Sequence, residues 1–216
     1  MAAKKRSKGL VIPQGVVSRL PIYYRHLLDL RSQSVERISS AQFGEAVGCT
    51  AAQIRSDLSH FGSFGQQGYG YKVSDLLRQL EKILGLTRTY SAVLVGAGNL
   101  GKALASYDSF REQGFVINAI FDVDPVLIGN YHSGKVIRPF KDLPAYLKKS
   151  KCDMAIVATP KEAAQEVVDV LVEGGVDSIW NFAPIHPVVP RGVLVENIQL
   201  TDSLLRLAFY MNARDN

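Results

Sequence analysis

The stretch that decides the fold is Tyr90-Ser91-Ala92-Val93-Leu94-Val95-Gly96-Ala97-Gly98-Asn99-Leu100-Gly101. An apolar run reads as a buried strand, and a helix is predicted from Lys102 to about Phe110. The glycines between them have G-x-G-x-x-G spacing in a strand-to-helix setting. Gly96 permits a tight turn, Gly98 lets backbone approach a pyrophosphate, and Gly101 lets the helix pack on the strand. The helix N-terminus presents free N–H groups to phosphate oxygens. Gly96, Ala97, Gly98, Asn99, Leu100 and Gly101 are therefore candidate cofactor contacts.

Downstream, Val116–Phe121 reads as a second strand that ends at Asp122, 21 residues after Gly101. An acid at that place accepts hydrogen bonds from ribose hydroxyls and repels a 2′-phosphate, which selects NADH or NAD⁺ over the NADP forms. Met154–Ala158 runs into Thr159-Pro160, followed by a helix from about Glu162 to Glu173. Ser178–Phe182 runs into Ala183-Pro184. Ligands of such sheets sit beyond the carboxyl ends of the strands, which places Thr159, Pro160, Asn181 and Phe182 near the cofactor. Gly129 and Gly134 punctuate a loop region before a helix at Leu143–Lys149. The class is α/β, with a Rossmann-type parallel sheet over about residues 86–199.

The residues before this domain have a different character. The whole chain carries a formal net charge of +5. Residues 1–85 hold 12 of the Lys and Arg and 6 of the Asp and Glu, so the basic excess lies there. A basic domain attracts polyanions, nucleic acid first. Its helices read as Val16–Leu30 with Pro21 in the early turns, a second from Ser39 or Ser40 to Gly48, and a third from Thr50. Ser39 with Gln42, and Thr50 with Gln53, both have capping-box spacing. Two short helices around a glycine turn form a helix-turn-helix.

The outward face of the third helix carries Ala52, Gln53, Arg55, Ser56 and Ser59, with His60 at its margin. Arg pairs bidentately with guanine and Gln with adenine. Gln53 reads equally as a cap or a base reader, and for Arg55 DNA contact is favoured over a surface charge. Gly62–Tyr71 alternates glycine, aromatics and Gln, and reads as a β-hairpin wing that includes Gln66, Gln67 and Gly68. A fourth helix is predicted from Ser74, as N-cap, to Leu84, giving a winged-helix DNA-binding domain over residues 1–85.

The chain closes on a strand, Val193 to Ile198, and a helix over about Thr201–Met211 within residues 200–216. That helix is apolar on nearly every side, so it must be buried on most of them. Insertion between domains or into a second subunit is expected, rather than docking in its own core. Cys49 and Cys152 have no metal-ligand spacing. No apolar run approaches the ~20 residues of a membrane span, and no signal core follows the basic start, so a soluble cytoplasmic protein is expected.

Taken together, Ala52-Gln53-Ile54-Arg55, Asp57-Leu58-Ser59, Phe61-Gly62, Gly68–Tyr71, Gly96–Gly101, Phe121-Asp122-Val123-Asp124-Pro125 and Asn181–Pro184 resemble the Rex family of redox-sensing transcriptional repressors. The likeness covers almost the whole chain. It implies a homodimer that exchanges its C-terminal helix, binds a palindromic operator, and leaves DNA on binding NADH. It adds Val123 and Asp124 to the cofactor contacts, and places Tyr107 near the nicotinamide as part of the switch. It also implies a switch pair between Arg25 and the position of Gln199. Three residues depart from the family pattern: Ser56 and Gln67 stand where Lys and another basic residue are usual, and Gln199 where Asp is. Weaker phosphate attraction is the expected consequence.

Two other readings stand beside this one. An NAD-dependent dehydrogenase would need an acid–base group, for which His132 and His186 are the candidates. A non-enzymatic scaffold for CoA or another nucleotide would use the same sheet.

Overall fold

In the N-terminal domain, apolar residues at helical spacing put one long helix against two short ones. The computed structural model describes residues 12–64 and 69–214. Helix α1 (Gln14–Ser32) buries Val16, Leu20, Tyr23 and Leu27 on one stripe. Pro21 lies well inside it, not in the early turns as expected. Strand β1 (Arg37–Ile38) precedes α2 (Ser40–Val47). Ser39 and Gln42 close a full capping box on α2, and Gly48 ends it in the left-handed region at φ +71°. Helix α3 (Ala51–Ser59) follows; Thr50 accepts from the Gln53 N–H, but the Gln53 side chain does not return to Thr50, so only half of that box forms. Strand β2 (Tyr71–Lys72) leads into α4 (Val73–Ile83). The shared core is built from Tyr23, Phe43, Ile54, Leu58, Leu77 and Leu80.

The structure adds to one expectation here and corrects another. Tyr71–Lys72 pairs antiparallel with Arg37–Ile38, a partner that the reading of Gly62–Tyr71 as a local hairpin did not include, while residues 65–68 of that hairpin lie outside the described residues. Long-range pairing satisfied the backbone, which local turn chemistry could not foretell. Helix α4 starts at Val73, so Ser74 lies inside the helix and caps nothing. Gln66, Gln67 and Gly68 lie outside the described residues.

The second unit spans Arg88–Asn216. Its elements are β3 (Tyr90–Val95), α5 (Asn99–Ala105), α6 (Asp108–Glu112), β4 (Phe115–Asp122), β5 (Tyr131–His132), β6 (Lys135–Pro139), a 3₁₀ turn (Phe140–Asp142), α7 (Leu143–Lys149), β7 (Met154–Val157), α8 (Lys161–Glu173), β8 (Ser178–Asn181), β9 (Leu194–Asn197) and α9 (Leu200–Asn212). The sheet runs β5-β6-β4-β3-β7-β8-β9, and only β5 is antiparallel to its neighbour. From β6 to β9 this is the Rossmann order, two halves wound outward from β3 and β7. Both faces are covered. Val93, Val95, Phe121 and Val157 pack under α7 and α8. Ala92, Leu94, Ile117 and Ile120 pack on the opposite side with Leu104 of α5. A register shift between Ala92 and Val93 of β3 skips Asn118 on β4 and keeps both faces apolar.

The predicted helix Lys102–Phe110 is two helices, broken at Ser106 and Tyr107. The region around Gly129 and Gly134 is not simply loop, because it holds the β5–β6 hairpin. Its turn is Ser133-Gly134, both at positive φ (48° and 74°), the geometry of a tight two-residue hairpin. Strand β6 escaped prediction because Arg138 and Pro139 mask its short apolar pattern. Cys49 and Cys152 are unpaired. Among the described residues no helix is long and apolar enough to cross a membrane.

Candidate functional site

The chain reverses direction across the sheet between β3 and β7, and such a switch point opens a crevice at the strands' carboxyl ends. The Gly96–Gly101 loop lies there. Gly96 has φ +100°, and a side chain on it would run into the Ala158 carbonyl at the end of β7. A side chain on Gly101 would meet the Gly96 carbonyl, whereas Gly98 faces open space. The two outer glycines are thus required by packing, and the middle one leaves room for a ligand. Helix α5 begins at Asn99, so the N–H groups of its first turn have no intrahelical partner.

Asp122 stands at the end of β4. Its Oδ2 accepts from the Ala97 N–H at 2.5 Å and its Oδ1 from the Asp124 N–H at 2.8 Å. The carboxylate therefore braces the glycine loop, with lone pairs left for a diol. Ala97 is buried and its N–H is committed to Asp122. Beside Asp122 opens a cleft of about 550 Å³ lined by Val123, Ile128, Pro139, Phe140 and Val170, with room for a flat apolar base. Thr159 sits just beyond β7, and its hydroxyl is buried without a hydrogen-bond partner. A buried hydroxyl left unpaired is costly, so this one fits a ligand that supplies its partner. Pro160, Val123 and Asp124 are exposed around the same edge.

On the α5 side of the sheet a run of aromatic contacts starts from Phe182. Phe182 packs edge-on to Trp180 (4.7 Å between centroids), Trp180 to Phe110 (5.3 Å), and Phe110 to Tyr107 (4.9 Å). These contacts join Phe182 and Tyr107, two predicted contacts far apart in sequence. Tyr107 is 57% exposed. Trp180 and Phe110 were missed, and no motif marks them. Asn181 is a different matter. Its side chain is fully buried, donating to the Ile185 carbonyl and Asn197 Oδ1 (both 2.8 Å) and accepting from the Ala183 N–H (3.0 Å). It ties β8 to β9 and the following turn, and it does not face the crevice with a free group.

Of the acid–base candidates, His132 Nε2 donates to the Lys102 carbonyl at 2.8 Å and lies 2.8 Å from Ser106 Oγ. It pins the end of α5 to the β5–β6 hairpin. His186 is an exposed loop residue.

In the N-terminal domain the third helix exposes Ala52, Arg55, Ser56 and Ser59. Arg55 Nη1 donates to Ser40 Oγ at 2.9 Å, and His60 Nδ1 and Ser59 Oγ both reach the Ser56 carbonyl. Gln53 is neither cap nor free, for its Nε2 donates to Asp57 Oδ1 at 2.6 Å. Asp57 is fully buried and also receives Arg19 Nε (2.6 Å), Arg19 Nη2 (2.8 Å) and Tyr23 Oη (2.7 Å). Burial alone would raise the Asp57 pKa, but the hydrogen bonds from Arg19, Tyr23 and Gln53 outweigh it and hold the carboxyl below its usual range. Hydrogen bonding to Asp57 in turn raises Arg19. Arg25 is exposed on α1, and Gln199 occupies the N-cap position of α9 without a side-chain cap bond.

Fold and site together define a class: a winged-helix reader of DNA joined to a Rossmann domain with a dinucleotide cradle. Residues 11–59 match the family described as "Putative DNA-binding protein N-terminus", and residues 87–185 match "CoA binding domain". The redox-sensing transcriptional repressor Rex of Clostridium acetobutylicum is 46% identical over 91% of this chain and 92% of its own. That of Clostridioides difficile is 48% identical over 93% and 95%. Among solved structures, RSP in complex with β-NAD⁺ and operator DNA superposes with a TM-score of 0.90 at 43% identity, over 95% of this chain and 94% of that one. RSP in complex with β-NADH gives 0.89 at 40% identity, over 95% and 96%. The chain belongs to the Rex family of redox-sensing transcriptional repressors.

Proposed function

We propose that this protein represses transcription from the cytoplasm by gripping a palindromic operator as a homodimer, and that NADH releases it. It is a regulator and not an enzyme. The observation that carries the reading is the coexistence in one chain of an intact cradle and an exposed polar recognition helix. The cradle has Gly98 open and the Thr159 hydroxyl unpartnered.

On the cofactor side, the loop Gly96–Gly101 would hold the pyrophosphate through the first-turn N–H groups of α5. Asp122 would hold the ribose diol, with Val123 and Asp124 beside it, and Thr159, Pro160, Phe182 and Tyr107 would border the nicotinamide half. When bound, the reduced cofactor presents an uncharged nicotinamide and the oxidised form a cationic one. A pocket bordered by aromatic side chains such as Phe182 and Tyr107 favours the uncharged ring, because burying an unpaired charge is expensive. A ligand moves a two-state balance only by such a difference in affinity. Ala52, Arg55, Ser56, Ser59 and His60 would meet the DNA, with Gln66, Gln67 and Gly68 in the wing. Two such domains must be spaced to match two half-sites. Arg25 and Gln199 would link α1 to the exchanged helix, by a weaker hydrogen bond than an ion pair would give.

The test is displacement of the protein from DNA selected out of a random pool. NADH should displace it at far lower concentration than NAD⁺, and a Gly98→Val variant, whose side chain meets no protein atom but fills the ligand's space, should bind DNA but ignore both. Equal displacement by the two forms would sink the sensor reading.

A further inference from the structure

We propose that Gln53 is a positioning residue that completes a buried clamp on Asp57, and that base reading by α3 falls to Arg55 and its exposed neighbours. This rests on the DNA-binding reading above and assigns the roles within it. Each Asp57 oxygen receives two donors: Arg19 Nε and Tyr23 Oη on Oδ2, Arg19 Nη2 and Gln53 Nε2 on Oδ1. A carboxylate has about four lone-pair sites, so this one is saturated. The donors come from two i, i+4 pairs that face each other. Arg19 and Tyr23 lie one turn apart on α1, and Gln53 and Asp57 one turn apart on α3. A bidentate Arg–carboxylate pair fixes direction as well as distance. The clamp therefore sets the roll of α3 about its axis, and with it which side chains project outward.

Reading adenine would require both the amide N–H and the carbonyl of Gln53 aimed at one base edge. One of its two amide N–H groups is held by Asp57 at 2.6 Å, which fixes the amide's orientation on a half-buried side chain, so it cannot turn freely to present the other N–H and the carbonyl to a base edge. Withdrawing it would leave a buried charge short of a donor, which is destabilising. Arg55 carries no such commitment; its guanidinium has five donors and shares one with the Ser40 hydroxyl.

The experiment measures binding of the full-length dimer to every single-base variant of a DNA selected by the wild-type protein. Gln53→Leu removes the hydrogen bonds at similar size. It should weaken all sequences together, by about tenfold, with the rank order of bases unchanged at every position. Tyr23→Phe, which keeps the ring packing, should do the same more mildly. Arg55→Ala should erase a preference of about 5- to 150-fold at one base pair per half-site. Loss of preference at an A·T pair in Gln53→Leu would show that Gln53 reads DNA and would overturn the assignment. Wild-type affinity in both clamp variants would overturn the positioning role. Failure of the wild-type protein to enrich any sequence would bring down the DNA-binding reading itself.

Discussion

Helices α8 and α9 are each 13 residues long, and the molecule treats them in opposite ways. In α8, Ala164, Val167, Val168 and Leu171 form one stripe that is buried under the sheet, while the opposite side is charged. In α9, Leu204, Leu205, Phe209 and Tyr210 are each more than 60% exposed and no residue is buried. An amphipathic helix finds its partner surface within its own domain. A helix apolar all round has more surface to bury than one sheet face offers, and its contiguous apolar patch marks an interaction site. Among the described residues none buries α9, and the exchange between subunits proposed above would cover it.

Three measurements would break or sharpen this contrast. Ending the chain after Gln199 should have the largest effect. Dimerisation seen by sedimentation should be lost, and affinity for a two-half-site operator should fall by about 10²- to 10⁴-fold as binding becomes monovalent. A truncated chain that still sediments as a dimer would break the comparison outright. Next, Leu171→Ala in α8 should cost about 2–5 kcal/mol in denaturant unfolding at any protein concentration. Leu204→Ala in α9 should instead show its cost only near the dimer dissociation concentration. Equal, concentration-independent losses would mean that both helices serve the same core.

The smallest effect concerns the two domains' different cements. Asp57 has a depressed pKa in the folded state, so its contribution is fully present above the ordinary carboxylate range, near 4, and is lost as pH falls below it. The N-terminal domain should therefore lose stability in acid through that window, and Asp57→Asn should flatten the dependence. Urea melts of wild type and variant between pH 3 and 7 would check it (about the window in which carboxylates titrate). Parallel pH profiles would remove the clamp as a source of stability.

Much of this was readable from residues in order, and the rest was not, for reasons that attach to particular side chains. The glycine cradle and Asp122 were legible because close backbone approach and positive φ allow few residue types. The capping box of α2 was legible because its two partners lie three residues apart. The side-chain partners of Asn181 were not legible: its position at a strand end pointed to the cofactor, while Ile185 and Asn197, which its amide binds, arrive from a turn and another strand. Strand β6 and the pairing of Tyr71–Lys72 with Arg37–Ile38 depend on neighbours distant in sequence. The aromatic contact from Phe182 to Tyr107 joins residues on β8, α6 and the α5–α6 break, and no local pattern encodes it.

By itself the chain of residues determined two domains, the cradle, the helix-turn-helix and an orphan apolar helix, since each follows from steric limits or periodicity over a few turns. Only the folded molecule decided what Gln53, Asp57 and Asn181 do. A polar side chain can satisfy its hydrogen bonds with any of several partners, and packing selects which of them come within reach.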